Sequence, residues 1–254
     1  MNAIQVPGPI FRAATRNDLR SVEAWLRDER ERTGGGFYCN WNIIADGFGT
    51  DEMFIVDVDG DPVGFLVNEG AHHIIAEVRP DQRGRGYGQV IAEAMVAQST
   101  GWGLSVIEIG CSPVTSAPFW TRMGFTPVPS RRAQEGGTYA YREIPHPRQL
   151  GRGERLPIAV KFYTEDAHHS GGAPFRSYQI EGEVRGDRRV DLPERAVCYD
   201  PEVLHASDCY VEIKVNGRHL FQDKTKRKEA TAFGLERDQR GVPYIETICL
   251  PLGG

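Results

Sequence analysis

Residues 74–97 read IIAEVRPDQRGRGYGQVIAEAMVA, and this stretch decides how the N-terminal part of the chain folds. Residues 74–78 are an apolar run typical of a strand, and Pro80 ends that run because proline has no amide hydrogen to give to a strand ladder. After Gly88, apolar residues recur at three- and four-residue spacing through residue 97, which is the spacing of a helix. The stretch therefore predicts a strand, a glycine-rich loop and a helix.

The predicted loop has the composition of an anion-binding site. The first amides of a helix have no acceptor within the helix, and the helix dipole adds partial positive charge there. Glycine lets a ligand approach the backbone closely, and Arg83 and Arg85 can add charge-assisted hydrogen bonds. The loop therefore predicts a binding site for a pyrophosphate.

Two common phosphate-binding motifs do not fit this loop. A P-loop requires Lys and then Ser or Thr after its last glycine, whereas Gln89 and Val90 follow Gly88. The dinucleotide fingerprint requires a third glycine, and Ile91 stands there. The motif that fits is Arg-x-x-Gly-x-Gly over residues 83–88, which resembles the coenzyme A loop of the GCN5-related N-acetyltransferases, the GNAT superfamily.

A second motif lies about thirty residues further along. Residues 118–125 read PFWTRMGF, which resembles the helix of the same family that ends in an aromatic residue followed by x-x-x-Gly-Phe. The resemblance covers residues 10–145. It implies a GNAT-like α/β fold, with a mixed sheet flanked by helices.

The chain order fits such a fold. Residues 10–14 predict a strand, and Thr15 or Asn17 caps a helix over residues 18–32, which Gly34 ends. The aromatic residues Phe37, Tyr38 and Trp41 follow, and they either line the acceptor pocket or plug the sheet. Further strands are predicted over residues 53–58, 63–67, 106–109 and 138–144, and the Asp59-Gly60 pair predicts a hairpin.

The remaining chain predicts a second, smaller, antiparallel all-β domain. Residues 146–156 carry prolines, glycines and basic charge without apolar periodicity, which indicates a linker. Strands are predicted over residues 158–163, 177–184, 210–215, 218–221 and 242–250, with Asn216-Gly217 as a hairpin turn. The domains are therefore predicted as 1–145, GNAT-like and acyl-CoA-binding, and 157–254, a β domain that resembles no family recognised from the sequence.

The amino-acid composition limits the kinds of partner that the protein is expected to bind. The 254 residues carry a formal net charge of −5, which does not favour nucleic acid or an anionic membrane, and no membrane-length apolar run is present. The five cysteines form no CxxC pair, which indicates reduced thiols in a cytoplasmic protein and no metal site. The basic run at residues 224–228 is interpreted as a solvated hairpin tip, and homodimerisation is left open.

The resemblance also implies how acetyl-CoA, the acyl donor, is held. Backbone groups at Val78 would polarise the thioester carbonyl and hold the pantetheine arm, while Ser116 and Phe119 would contact the cofactor from the second motif. The pyrophosphate would be held by residues of the loop, namely Arg83, Gly84, Arg85, Gly86, Tyr87, Gly88 and Gln89.

Three residues are candidates for the catalytic chemistry. His72 stands where one branch of the family has a glutamate base, and Glu77 is the other candidate base. Many members have a tyrosine as the acid four residues before the Gly of Gly-Phe, but here that residue is Trp120, whose indole is no practical proton source. Cys111, Ser112, Ser116 and Tyr87 are alternative proton donors.

The resulting function is transfer of an acyl group, expected to be acetyl, from CoA directly to an amine of a small molecule or a protein. The alternative, favoured by Trp120, is a CoA-binding regulatory or scaffolding module whose β domain recognises a partner. A third interpretation, acylation of aminoacyl-tRNA, is opposed by the acidic net charge.

Overall fold

The computed structural model describes residues 8–69, 74–133, 136–186, 188–203 and 208–251. The chain divides into two compact units, residues 1–102 and 103–254. None of the helices in these ranges is both long enough and apolar enough to cross a bilayer.

Within the described residues, the first unit contains a four-stranded antiparallel sheet and three helices. The sheet order is β1-β2-β3-β4. Its strands are β1 (Ile10–Ala13), β2 (Met53–Val58), β3 (Asp61–Asn68) and β4 (Ile74–Val78). The helices are α1 (Arg16–Thr33), α2 (Trp41–Gly49) and α3 (Tyr87–Gly101), and a short 3₁₀ turn over Phe37–Asn40 precedes α2.

The ends of α1 follow from local chemistry. Thr15 is the N-cap: its side chain accepts a hydrogen bond from the amide of Asp18, and the Asp18 carboxylate accepts one from the amide of Thr15. At the other end Gly34 adopts φ 73°, a left-handed conformation that glycine tolerates without strain. The predicted helix is thus confirmed, with Thr15 rather than Asn17 as its cap.

The Asp59-Gly60 hairpin is also confirmed. Asp59 has φ 54° and Gly60 has φ 85°, and positive φ at both central residues is the requirement of a type I′ turn. The turn fixes the register of β2 against β3.

The aromatic segment packs against the core of the first unit. Phe37, Tyr38 and Trp41 are partly buried against it, as the plug interpretation predicts, and Tyr38 stacks on Trp41 at 6.3 Å between ring centroids. The buried core itself consists of Val22, Leu26, Ile44, Met53, Ile55, Phe65, Val67 and Ile75.

In the second unit, the part of the chain that the structure describes forms two antiparallel sheets. The first has the order β5-β7-β6, and its strands are β5 (Val106–Cys111), β6 (Thr126–Arg132) and β7 (Thr138–Glu143). A 3₁₀ turn over Val114–Ser116 leads into α4 (Ala117–Arg122) between β5 and β6.

The other sheet has seven strands in the order β12-β11-β8-β9-β10-β14-β13. The strands are β8 (Arg155–Tyr163), β9 (Arg176–Val184), β10 (Arg189–Val197), β11 (Tyr210–Val215), β12 (Arg218–Lys224), β13 (Leu235–Arg237) and β14 (Pro243–Cys249). Two short helices, α5 (Glu165–Ser170) and α6 (Lys228–Ala232), complete it. The predicted fold class, an α/β part followed by an antiparallel β region, is confirmed.

The residues predicted as a linker make specific contacts within the second unit. The His146 ring nitrogen Nε2 lies 2.7 Å from the carbonyl oxygen of Leu104. Arg148 donates its amide to Pro193 and its guanidinium to the carbonyl of Glu246, at 2.7 Å and 2.9 Å. The contacts of Arg148 hold this segment against strands β10 and β14 of the seven-stranded sheet. The domain boundary at 146–156 stays a prediction.

Candidate active site

The loop between β4 and α3 has the predicted strand–loop–helix form. A 3₁₀ turn over Pro80–Gln82 follows β4, and α3 begins at Tyr87. Gly84 and Gly86 have φ 79° and 90°. Side chains rarely adopt these values, so the two glycines allow the chain to turn from the strand into the helix.

The loop presents unsatisfied amides on an open surface. Gly86, the N-cap of α3, has no side chain to cap the helix, and Gln89 is the first amide bonded back to it, at 3.0 Å. Within the described ranges, no acceptor pairs with the amides of residues 84–88. A Cβ built on Gly84 or Gly86 would meet no atom within 4 Å. Such a row of exposed amides at a helix N-terminus suits a phosphate group.

The two arginines of the loop differ in their surroundings. Arg85 is exposed. The Arg83 side chain turns back: its Nε donates to the Val78 carbonyl at 3.0 Å, and its Nη2 donates to Glu29 and Glu77 at 2.9 Å and 2.7 Å. The guanidinium of Arg83 therefore holds the loop against two carboxyl groups, while the amide of Arg83 donates to the carbonyl of Pro80 at 3.4 Å.

Glu77 and Glu29 form a buried carboxyl pair below this guanidinium. Glu77 lies on the same face of β4 as the buried Ile75, and its side chain is 7% exposed, against 8% for Glu29. One oxygen of each, Oε2, is buried without a hydrogen-bond partner. Burial, then the hydrogen bond and charge of Glu29, raises the pKa of Glu77 to about 8, against the opposing effect of Arg83. Glu77 can therefore exchange a proton near neutral pH.

Glu29 was not among the residues predicted from the sequence. The signal that could have found it is its place on α1, where it follows Val22 and Leu26 at helical spacing on the buried face. A carboxyl group on an apolar helix face needs a partner, which here is Arg83.

Val78 lies on an edge of its sheet. It pairs with Gly64 of β3, and β4 is the last strand in the sheet order. The backbone of Val78 on the side away from β3 has no strand partner within the described part of the chain. An extended ligand can bind such an edge through backbone hydrogen bonds.

A groove of about 570 Å³ lies beside α1. Its walls are Trp25, Asp28 and Arg32 of α1 together with Arg79, Pro80 and Asp81 at the start of the loop. The indole nitrogen of Trp25 is buried without an acceptor. The groove is therefore lined by charges of both signs next to one unpaired donor.

In the second unit, Trp120 is part of an aromatic cluster. Its half-buried ring meets Phe119 and Phe125 edge to face, with centroids 5.0 Å and 5.3 Å apart. The Ser116 hydroxyl, one turn earlier, is buried without a partner and does not cap α4. Burial raises the pKa of the Cys111 thiol to about 11, which makes that thiol a poor proton donor at neutral pH.

Other residues singled out from the sequence lie elsewhere or fall outside the description. His72 lies outside the described residues, so its role stays a prediction. In the basic run, Lys224 pairs with Glu165 and Lys226 pairs with Asp208. In the ranges that the structure describes, no cluster of His, Cys, Asp or Glu side chains suits a metal ion.

Comparison with known proteins gives a family match for the part of the chain that contains both motifs. Residues 14–125 match the model of the acetyltransferase (GNAT) family. No curated protein sequence matches the chain.

Several crystal structures resemble about half of the chain. A GCN5-related N-acetyltransferase from Rhodopseudomonas palustris has 19% identity and a TM-score of 0.40, covering 56% of this chain and 100% of that one. The ribosomal-protein-S18-alanine N-acetyltransferase of Escherichia coli has 13% identity and a TM-score of 0.42, covering 58% and 99%. N-acetylglutamate synthase from Neisseria gonorrhoeae, complexed with coenzyme A and N-acetyl-glutamate, has 16% identity and a TM-score of 0.41, covering 54% and 35%.

The matched residues include both motifs that the sequence analysis singled out, the Arg-x-x-Gly-x-Gly loop and the helix that ends in Gly-Phe. Residues 14–125 of this chain are therefore a domain of the GNAT acetyltransferase family.

Proposed function

We propose that this chain is an acyl-CoA-dependent N-acyltransferase that moves an acetyl group from acetyl-CoA directly to an amine of a small molecule or a protein. The observation that carries the proposal is the open row of amides at residues 84–88, at the start of α3, within a GNAT family domain.

The loop would bind the pyrophosphate of the donor. The amides of residues 84–88 would donate to the phosphate oxygens, and Arg85 would add a charge-assisted contact. Arg83 would hold the loop in place, because its guanidinium is engaged with Glu29 and Glu77 and its amide donates to the carbonyl of Pro80 at 3.4 Å. The pantetheine arm would lie along the edge of β4 at Val78, and Ser116 and Phe119 would contact the donor as the family resemblance implies.

The transfer itself requires a base for the incoming amine. The amine nitrogen attacks the thioester carbon, the carbon–sulfur bond breaks, and the amine gives up one proton. Glu77 in its ionised form is suited to receive this proton, because a pKa of about 8 makes that form a stronger base than an ordinary carboxylate. His72 stays the other candidate base.

The departing thiolate has no assigned acid. Trp120 packs edge to face between Phe119 and Phe125, so we assign it a packing role. The Ser116 hydroxyl, buried and unpaired, is the candidate donor to the sulfur. Correct positioning of the two reactants supplies a large part of the rate in direct transfer, so the thiolate can also leave without an acid.

The alternative is a CoA-binding regulatory or scaffolding module, with the seven-stranded sheet recognising a partner. Trp120, in the place of the family's tyrosine, favours it. The proposed domains, 1–145 and 157–254 with a linker between them, and the cytoplasmic location serve both functions equally.

A titration with acetyl-CoA followed by an amine panel tests the proposal. We expect calorimetric binding and release of free CoA with at least one amine. Arg85→Gln should weaken acetyl-CoA binding about fivefold, the cost of one charge-assisted contact. Arg20→Gln, which removes an exposed arginine of α1, is the matched control and should bind as the wild type does.

Three outcomes separate the possibilities. Binding with transfer that is lost in Glu77→Gln supports the enzyme and its base. Binding without transfer to any amine moves the assignment to the regulatory module. Absence of binding contradicts the loop as a CoA site.

A further inference from the structure

Two acidic side chains from distant parts of the first unit meet at one nitrogen atom. Glu29 comes from α1 and Glu77 from β4, and Nη2 of Arg83 donates to an oxygen of each. Both side chains are more than nine-tenths buried, while that of Arg83 is 52% exposed. The guanidinium thus covers the carboxyl pair on its exposed side.

The charges of Glu29, Glu77 and Arg83 do not sum to zero unless one of the two carboxyl groups holds a proton. Two buried carboxylates and one guanidinium would leave one negative charge out of water and unpaired, which is strongly unfavourable. One proton shared by the two carboxyl groups makes the group neutral. It also provides the donor that a carboxyl–carboxyl hydrogen bond requires, because two ionised carboxylates can only accept.

The remaining oxygens support a shared proton. Oε2 of Glu29 and Oε2 of Glu77 are both buried without a partner. A proton on either carboxyl group gives it an O–H that can donate to the other. The charged groups acting on Glu77 are Glu29 from α1 and Arg83 from the loop, and its neighbour in register on β3 is the apolar Phe65.

The chain leaves room for Glu29 at this position. Gly36, in the segment after α1, has φ 86°, and a Cβ built there would lie 3.1 Å from Oε2 of Glu29. A larger residue at position 36 would press on the carboxyl group. The glycine therefore helps to keep Glu29 next to Glu77.

We propose that Glu29 is a positioning residue that shares one proton with Glu77 beneath Arg83, so that the pair, and not a single carboxyl group, receives the proton of the acceptor amine. This inference rests on the proposed function. In the reaction the pair passes from one bound proton to two when the amine nitrogen forms its bond to the acyl carbon. The second proton then leaves to solvent or to the departing thiolate.

The same geometry joins the base to the donor site. Arg83 binds the carboxyl pair with its side chain and begins the coenzyme loop with its backbone. A change in the charge of the pair therefore acts directly on the residue that opens the loop.

The test is a pH titration of Glu77 in the wild type and in Glu29→Gln. Carbon-13 NMR of the glutamate carboxyl groups monitors it in the full chain without substrate. We expect the proton affinity of Glu77 to fall at least about tenfold in Glu29→Gln, because the variant removes a like charge and the carboxyl partner. Glu31→Gln, on the same helix but exposed, is the control and should leave the titration unchanged.

The kinetic readout is the pH profile of acetyl transfer. In Glu29→Gln the acidic limb of kcat/KM should move to higher pH, because the lone Glu77 then loses its base form on binding one proton, whereas the wild-type pair with one proton still has a carboxylate that can accept another. Glu29→Asp, which keeps a carboxyl group on a shorter side chain, should bring the acidic limb part of the way back to its wild-type position. A merely structural role for Glu29 would lower stability without moving the limb.

The outcomes of the inference and of the proposed function are separable. If Glu77 titrates in Glu29→Gln as it does in the wild type, the shared proton is refuted whether or not the protein is an enzyme. If the titration shifts but no amine is acetylated, the pair exists and the proposed function fails. If Glu29→Gln does not fold, a raised titration of Glu77 in the wild type that is lowered in Glu29→Asp supports the pair, and an unshifted titration of Glu77 in the wild type overturns it.

Discussion

Replacing Glu77 by glutamine should change how the stability of the first unit depends on pH. The pKa of Glu77 is raised from 4.5 to about 8 in the folded chain, mainly by burial and then by Glu29. Between these two values the folded chain holds a proton that the unfolded chain releases. The contribution of Glu77 to stability is therefore fully present below pH 4.5 and is lost as the pH rises through about 8.

The size of the effect follows from proton linkage. One proton held by the folded state alone lowers the unfolding free energy by about 1.4 kcal/mol for each pH unit. From about pH 5.5 to about pH 7.5 the wild type should lose about 2 to 3 kcal/mol from this one group, and Glu77→Gln should not.

Urea unfolding at the two pH values measures this difference. Trp25, Trp41 and Trp102 lie in residues 1–102, and Trp120 lies in the second unit. A Trp120→Phe background therefore confines the tryptophan fluorescence to the unit that contains Glu77. The stability of Glu77→Gln relative to the wild type should rise with pH.

The control is Glu93→Gln, an exposed position on α3. Its unfolding free energy should follow the wild-type pH dependence. If Glu77→Gln also follows the wild type within about 0.5 kcal/mol at both pH values, Glu77 does not carry a raised pKa and the carboxyl pair is not protonated as argued.

Three further substitutions test other parts of the structure. Gly86→Ala places a side chain at φ 90°, which should cost about 1 to 2 kcal/mol of stability in thermal unfolding. The same variant should weaken acetyl-CoA binding. The control is Gly49→Ala, which has open space around it and should change neither property. Gly234→Ala would put a Cβ 1.8 Å from the carbonyl oxygen of Thr247. The variant should either fail to fold the seven-stranded sheet or lose more than about 3 kcal/mol of stability. A urea midpoint equal to that of the wild type would contradict the packing at Gly234. Arg195→Met removes hydrogen bonds of 2.7 Å to Gly103 and 2.8 Å to Glu246. We expect the unfolding free energy, measured by calorimetry, to fall by about 3 kcal/mol. An unchanged melting temperature would show that these contacts are not stabilising.

Local rules were sufficient for several elements. The Asn216-Gly217 pair predicts a type I′ hairpin, and the two residues have φ 50° and 74° in the turn between β11 and β12. The same holds for the loop after β4, where Gly84 and Gly86 adopt the left-handed conformations that a strand-to-helix turn of this kind requires. In each case the constraint lies within a few residues, so the sequence contains it.

Strand β10 shows why other elements were not predicted. Pro193, Glu194 and Arg195 interrupt its apolar pattern, yet Arg189–Val197 pairs with β14. The register shifts between Asp191 and Ala196, which places the irregular residues at a bulge where proline is tolerated. Strand β10 pairs with the preceding strand β9 only over Val190 and Asp191, and its longer pairing is with β14, far along the chain, which periodicity within one segment does not reveal.

Helix α2 was missed for a different reason. Residues 41–49 read WNIIADGFG and contain two glycines, which lower helix propensity. The helix forms because Ile44 and Trp41 pack into the core of the first unit, and burial of apolar surface outweighs weak propensity.

The sequence by itself determined the glycine loop, the helix that follows it and the family to which residues 14–125 belong, because each depends on residues that are close together in the chain. Only the tertiary structure brought Glu29 to Arg83, from 54 residues away, and placed Glu77 beside them. The ionisation of a carboxyl group depends on its burial and on the charges that surround it. Those surroundings exist only once α1, β4 and the loop have packed together.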